Sequence, residues 1–139
     1  MREDLAVSSG QSTRPVRIVI ADDDPLFGRM VQAQLSERAE FEVVGLAANG
    51  LEAIMLTQEL EPDLVLLDVS MPVLDGIDAA RIIRQGRRPP SVVLVTGEDD
   101  ASDARAYEVG AAAYVRKTGD IVPLMEAILT VSQLALPLR

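Results

Sequence analysis

The chain has 139 residues, 48% apolar and 25% charged, with a formal net charge of −9. That length suits one domain with a real core, and that charge argues against a nucleic-acid surface, which needs a basic face. Cysteine and histidine are both absent, which removes a disulfide framework, imidazole ligands and a phosphohistidine on this chain. With no signal-peptide core and no run of about 18 apolar residues, the expected setting is cytoplasmic, without a membrane span.

Residues 1–14 are polar, rich in Ser and Gly and without periodicity, so they read as a disordered tail. From there short apolar runs alternate with segments of helical period. The first run, 16–21, ends in Asp22-Asp23-Asp24-Pro25, and Asp24 before proline has the form of an N-cap with proline at the first helical position. A helix is expected over 25–38, a strand over 42–47 and a second helix over 50–60. The third run, 63–67, leads into Asp68-Val69-Ser70-Met71-Pro72-Val73-Leu74-Asp75-Gly76. Asp75-Gly76 reads as turn chemistry, and a third helix follows over 76–85. Arg81, Arg84, Arg87 and Arg88 read as solvent-exposed complements to the end of that helix. A fourth strand over 91–95 precedes Thr96, Gly97 and Glu98. A fourth helix over 101–109 stops at Gly110. A fifth strand over 112–115 is followed by Lys117, and a fifth helix spans 120–134.

The central runs are continuously apolar, as in a parallel sheet covered on both faces. Five alternating β/α pairs predict a doubly wound α/β fold of flavodoxin type, strand order 2-1-3-4-5. The expected domain is 15–135, with 136–139 as a tail or the start of a linker. On the last helix, Ile121, Leu124, Ile128 and Val131 share a core-facing spacing. Val122, Met125, Leu129, Leu134, Leu136 and Leu138 are then surplus, which predicts a partner surface.

In such sheets ligands bind beyond the carboxyl ends of the strands. The chain delivers Asp22 and Asp23, Asp68, Thr96 and Lys117 there. Crowded carboxylates raise one another's pKa unless a cation joins them. Carboxylate oxygens suit Mg²⁺, and a rim carboxylate can attack phosphorus to form an acyl phosphate.

These residues carry a resemblance. Asp22-Asp23, Asp68 with Met71-Pro72 and Asp75-Gly76, Thr96, and Tyr114 three residues before Lys117 resemble the receiver domain of two-component response regulators. The stretch Ala21-Asp22-Asp23-Asp24-Pro25-Leu26-Phe27 most resembles receivers that precede helix-turn-helix DNA-binding domains, with Asp24 where histidine is common. The resemblance implies that Asp68 accepts a phosphoryl group from a histidine kinase, a phosphotransfer protein or a small phosphodonor. It implies Mg²⁺ ligation by Asp23, Asp68 and the Ser70 carbonyl, with Asp22 acting through water. Lys117 would pair with the phosphoryl group. Thr96 and Tyr114 would form a switch, and Ser70 and Glu98 would tune its dephosphorylation. The output would be an altered protein surface, including a homodimer through 101–131, and not steady catalytic turnover. The family often has proline after this lysine; here it is Thr118, which puts the loop geometry in question. The chemistry by itself also admits a Mg²⁺-dependent phosphohydrolase using Asp68, or a phosphorylation-independent interaction domain. A flavin-binding protein fits less well, because three acids repel a phosphate.

Overall fold

A computed structural model describes residues 14–97 and 104–135. Five strands, β1 (Val16–Ala21), β2 (Phe41–Ala47), β3 (Leu64–Asp68), β4 (Ser91–Thr96) and β5 (Ala113–Arg116), form one sheet in the order β2-β1-β3-β4-β5. Every pairing is parallel. Between and after them run α1 (Pro25–Ser36), α2 (Gly50–Leu60), α3 (Gly76–Arg84), α4 (Ala104–Glu108) and α5 (Val122–Ala135). The predicted fold class and strand order are those observed. Residues 1–13, 98–103 and 136–139 lie outside the described residues, and with them Glu98, most of the tails and the start of the predicted fourth helix.

Alternation along each strand sorts the core into two halves. Ile18, Ile20, Leu64, Leu66, Val93 and Val95 pack with Val31 and Leu35 of α1 and with Leu124, Ile128 and Val131 of α5. Val19, Ala21, Val65, Leu67, Val92 and Leu94 pack with Ala53 and Ile54 of α2, Ile77, Ala80 and Ile83 of α3, and Ala106 of α4. Both faces of the central strands are therefore dry, which is why they read as unbroken apolar runs. Truncating Leu66 or Ile128 to alanine would cost about 2–5 kcal/mol.

Local chemistry sets the helix starts. Asp24 accepts the Leu26 N–H at 3.0 Å, with Pro25 as the first helical residue. Asn49 accepts the Glu52 N–H while the Glu52 carboxylate reaches back to Ala48 N–H, both at 2.8 Å, a near relative of the capping box. Asp75 accepts the Asp78 N–H at 2.8 Å and caps α3. Gly110 has φ +78°, the left-handed conformation expected after a helix.

Three expectations are corrected. Asp68 and Thr96 are the last residues of β3 and β4, not the first residues after them, because the ladder continues one step further through the Val69 N–H bond to Val95 O. The first helix ends at Ser36, where Glu37 N–H and Arg38 N–H turn back onto Gln34 O and Leu35 O. Met125 and Leu129 are not surplus: they are half-buried against the α1/α5 core. Among the described side chains of that predicted surface Val122 stays open, 52% exposed; the side chains of Leu134, Leu136 and Leu138 lie outside the description.

Candidate phosphoacceptor site

The ends of four parallel strands, β1, β3, β4 and β5, bring side chains to the site, and backbone bonds tie neighbouring strands there. Asp22 N–H bonds Ala47 O at 3.0 Å, Val69 N–H bonds Val95 O at 2.8 Å, and Lys117 N–H bonds Thr96 O at 2.6 Å. The side chains that follow those bonds have little freedom in where they emerge.

Asp22 and Asp68 are buried and Asp23 is exposed. One carboxylate oxygen from each lies within 4.8 Å of the others. Lys117 reaches in from the β5 end, its Nζ 2.8 Å from Asp22 Oδ2 and 3.4 Å from Asp68 Oδ2. Asp22 Oδ1 also accepts the Asp24 N–H at 2.7 Å. Thr118 in place of proline leaves this lysine at the site; Thr118 Oγ1 bonds both the N–H and the carbonyl of Asp120 at 3.1 Å.

The electrostatics follow. Burial and the neighbouring Asp22 charge push the Asp68 carboxyl up to about 6, although Lys117 and the Ser70 N–H favour its ionised form. Burial works against the Lys117 ammonium, but the Asp22 hydrogen bond and the Asp68 and Asp22 charges outweigh it, so its pKa is raised. Among the described residues three carboxylates thus face one ammonium. The donors are all oxygens, close together and under-neutralised, so they fit a hard divalent cation.

The segment after Asp68 is held tightly. Val73 sits at φ +69°, and Leu74 N–H bonds Pro72 O at 2.7 Å, a strained three-residue turn. Gly50 N–H holds Leu74 O at 2.9 Å and Gly76 N–H holds Val69 O at 2.8 Å. A side chain at Gly50 or Gly76 would collide with the carbonyl oxygen of Leu74 or Asp68. Asp75-Gly76 is therefore turn chemistry, as expected, and its tightness serves the strand end beside it.

Ser70 is exposed and borders an open cavity of about 460 Å³, with Asp23, Val69, Met71, Pro72, Asp75 and Arg105. Thr96 is fully buried, and its Oγ1 has no hydrogen-bond partner among the described residues. Such an orphaned hydroxyl is uncommon and calls for a reason. Tyr114 is half-buried and stacks on Tyr107, ring centroids 4.8 Å apart. Another cavity, of about 400 Å³, lies between the ends of α2 and α3 and includes Arg87 and Arg88; it shares no residue with the acidic site.

Sequence reasoning missed three contributors. Phe27 lies under the Lys117 ammonium, 4.3 Å from the ring centroid, a cation–π contact that positions it. Arg105 pairs with Asp75 at 3.3 Å and approaches Asp78 at 3.9 Å. Tyr107 supports Tyr114. Only Tyr107 had a visible signal, as one of just two tyrosines in the chain.

Comparison with known proteins gives this geometry a context. The response regulator receiver domain model matches residues 18–129. The chain is 42% identical over 114 residues to the transcriptional regulatory protein PdtaR of Mycobacterium tuberculosis, covering 82% of this chain and 55% of the relative. It spans about half the length of the transcriptional regulators it matches. Among solved structures, the signal receiver domain of the response regulator NarL from Mycobacterium tuberculosis superimposes with TM-score 0.77 at 31% identity, covering 86% of this chain and 98% of that one. The response regulator TrrA from Thermotoga maritima, solved in complex with Mg²⁺–BeF, superimposes with TM-score 0.73 at 29% identity, covering 83% and 97%. Receiver domains of this kind are signalling modules. The chain belongs to the response regulator receiver domain family of two-component systems, and its crowded rim of Asp22, Asp23 and Asp68 fits the phosphoacceptor site.

Proposed function

We propose that Asp68 is the phosphoacceptor of a switch spanning residues 15–135. The observation that supports this most strongly is a buried carboxylate at the end of β3 with a lysine ammonium 3.4 Å away and two further acids beside it. An Asp68 oxygen attacks the phosphorus of a kinase phosphohistidine. The P–N bond breaks, and its electron pair leaves with the imidazole. In the separate dephosphorylation step water attacks phosphorus, the P–O bond to Asp68 breaks with its electron pair returning to the carboxylate, and inorganic phosphate leaves carrying the oxygen of the water.

Asp22, Asp23, Asp68 and the Ser70 carbonyl are the residues that would hold Mg²⁺, Asp22 through water. Bound there, the ion neutralises charge on the acids and on the incoming phosphoryl oxygens. Lys117 pairs with the phosphoryl group, held in place by Asp22 and the Phe27 ring. The Thr96 hydroxyl, buried and without a partner among the described residues, gains one by turning to the phosphoryl oxygens. Tyr114 then follows into the space behind it. Ser70 and Glu98 tune dephosphorylation. The phosphoryl donor is a histidine kinase, a phosphotransfer protein or a small phosphodonor. The readout is a protein surface in the 101–131 region, including a homodimer, and the product is a long-lived acyl phosphate in place of catalytic turnover.

Intact-mass measurement with acetyl phosphate tests the assignment. Wild type with Mg²⁺ gains one phosphoryl group, and both Asp68→Asn and omission of Mg²⁺ abolish the gain. Equal labelling of Asp68→Asn would refute it. Sizing of both forms checks the dimer, and sustained hydrolysis of p-nitrophenyl phosphate would favour a phosphohydrolase instead.

A further inference from the structure

Arg105 stands where the site lacks a positive charge. Among the described residues it is the cation that borders the open cavity holding Asp23, Ser70 and Asp75. Lys117 borders a separate crevice with Phe27, Met30 and Ile121, so the two cations approach the rim through different openings. At rest Arg105 is committed elsewhere. Its guanidinium lies 3.3 Å from Asp75 Oδ2 and 3.9 Å from Asp78 Oδ1, tying α4 to the first turn of α3. Both partners are partly solvated, so these ion pairs are weak.

Phosphorylation changes the count. Asp22, Asp23 and an aspartyl phosphate together carry roughly four negative charges near neutral pH. Lys117 and a divalent cation offset three. The site is then one charge short, and the tethered guanidinium shares a cavity with Ser70, two residues from the new dianion. A planar guanidinium also matches phosphoryl oxygens in geometry, forming charge-assisted bonds stronger than its exposed pair with Asp75.

We infer that Arg105 is a positioning residue that senses the phosphoryl group: it exchanges Asp75 and Asp78 for the phosphoryl oxygens on Asp68 and thereby loosens α4 from α3. Asp75 continues to cap α3 through its other oxygen, which accepts the Asp78 N–H at 2.8 Å, so α3 survives the exchange. The inference rests on Asp68 being the phosphoacceptor.

The test uses the full chain with Mg²⁺ and acetyl phosphate, in wild type, Arg105→Gln and Arg105→Lys. Two quantities are read: the steady-state ratio of labelled to unlabelled protein by intact mass, and the Arg105 side-chain Nε–H NMR signal, assigned by its loss in Arg105→Lys. The expected result is a ratio about 3-fold to 10-fold lower in Arg105→Gln, partial recovery in Arg105→Lys, and a shift of the wild-type Nε–H signal on labelling that high salt diminishes. An Arg105→Gln ratio within twofold of wild type, or an Nε–H signal unmoved by labelling, would overturn the inference while leaving Asp68 as acceptor. Absence of labelling in wild type would instead sink the acceptor assignment. Should Arg105→Gln not fold, the wild-type Nε–H signal and Arg105→Lys still decide the matter.

Discussion

Asp63 and Asp68 flank the same strand, one at each end of β3, and they are built in opposite ways. At the amino end, Asp63 Oδ2 accepts the Arg17 N–H at 2.8 Å, and Oδ1 pairs with the Arg14 guanidinium at 3.3 Å. Its charge is surrounded by donors. At the carboxyl end, Asp68 is surrounded by Asp22 and Asp23, with Lys117 the nearby cation. One carboxylate is satisfied by its own fold and pins two chain segments together. The other is left wanting positive charge, and that deficit is what a metal ion and a phosphoryl-transfer partner can fill. Position at a strand end does not separate structural from functional acids; the sign of the surroundings does.

Substitutions at the two ends should therefore separate cleanly. The largest effect is expected on labelling: Asp68→Asn loses it entirely, whereas Asp63→Asn keeps it at the wild-type level, both read by intact mass. Stability should move in opposite directions. Asp63→Asn loses about 1–2 kcal/mol in urea titration, because a charge-assisted bond to Arg17 N–H becomes a neutral one. Asp68→Asn gains about 1–3 kcal/mol at pH 8 without metal, since it removes a buried charge whose pKa is pushed up to about 6.

The pH dependence sharpens the same contrast. Burial and the Asp22 charge push the folded Asp68 carboxyl up to about 6 from the ordinary aspartate value of 3.8, so the folded state should hold the extra proton between those values. That contribution is fully present below about pH 3.8 and is lost as pH rises through about 6. Metal-free wild type should accordingly lose stability across this window relative to Asp68→Asn, and saturating Mg²⁺ should recover it by binding only the folded chain. Urea midpoints for both proteins, at several pH values, check this. Lys117 is raised and so contributes stability throughout this window, lost only well above neutral pH. The smallest effect is expected from Tyr107→Ala, which removes the stack on Tyr114 and costs about 0.5–1.5 kcal/mol, read by thermal unfolding.

What was legible in the sequence was whatever one strand or one turn decides. Leu64 to Leu67 are apolar on both faces of the sheet, so they announce a buried parallel strand, and Asp68 at its end announces a rim. Asp24-Pro25 and Asp75-Gly76 announce a cap and a turn, because both are local backbone chemistry. The site itself was legible since each strand end brings its own residue to the rim regardless of detail. Side-chain encounters between distant elements were not. Phe27 under Lys117 and Arg105 against Asp75 depend on how α1 and α4 lie on the sheet, and no spacing encodes that. Met125 and Leu129 were misread because a regular helical stripe underestimates how much of α5 its neighbours cover.

The central claim is that Asp68 is a buried carboxylate starved of positive charge, and carboxyl ¹³C NMR of Asp68 titrated with pH tests it most directly. Without metal the midpoint should lie near 6, and added Mg²⁺ should bring it down. A midpoint near the ordinary aspartate value, unchanged by Mg²⁺, would contradict the account.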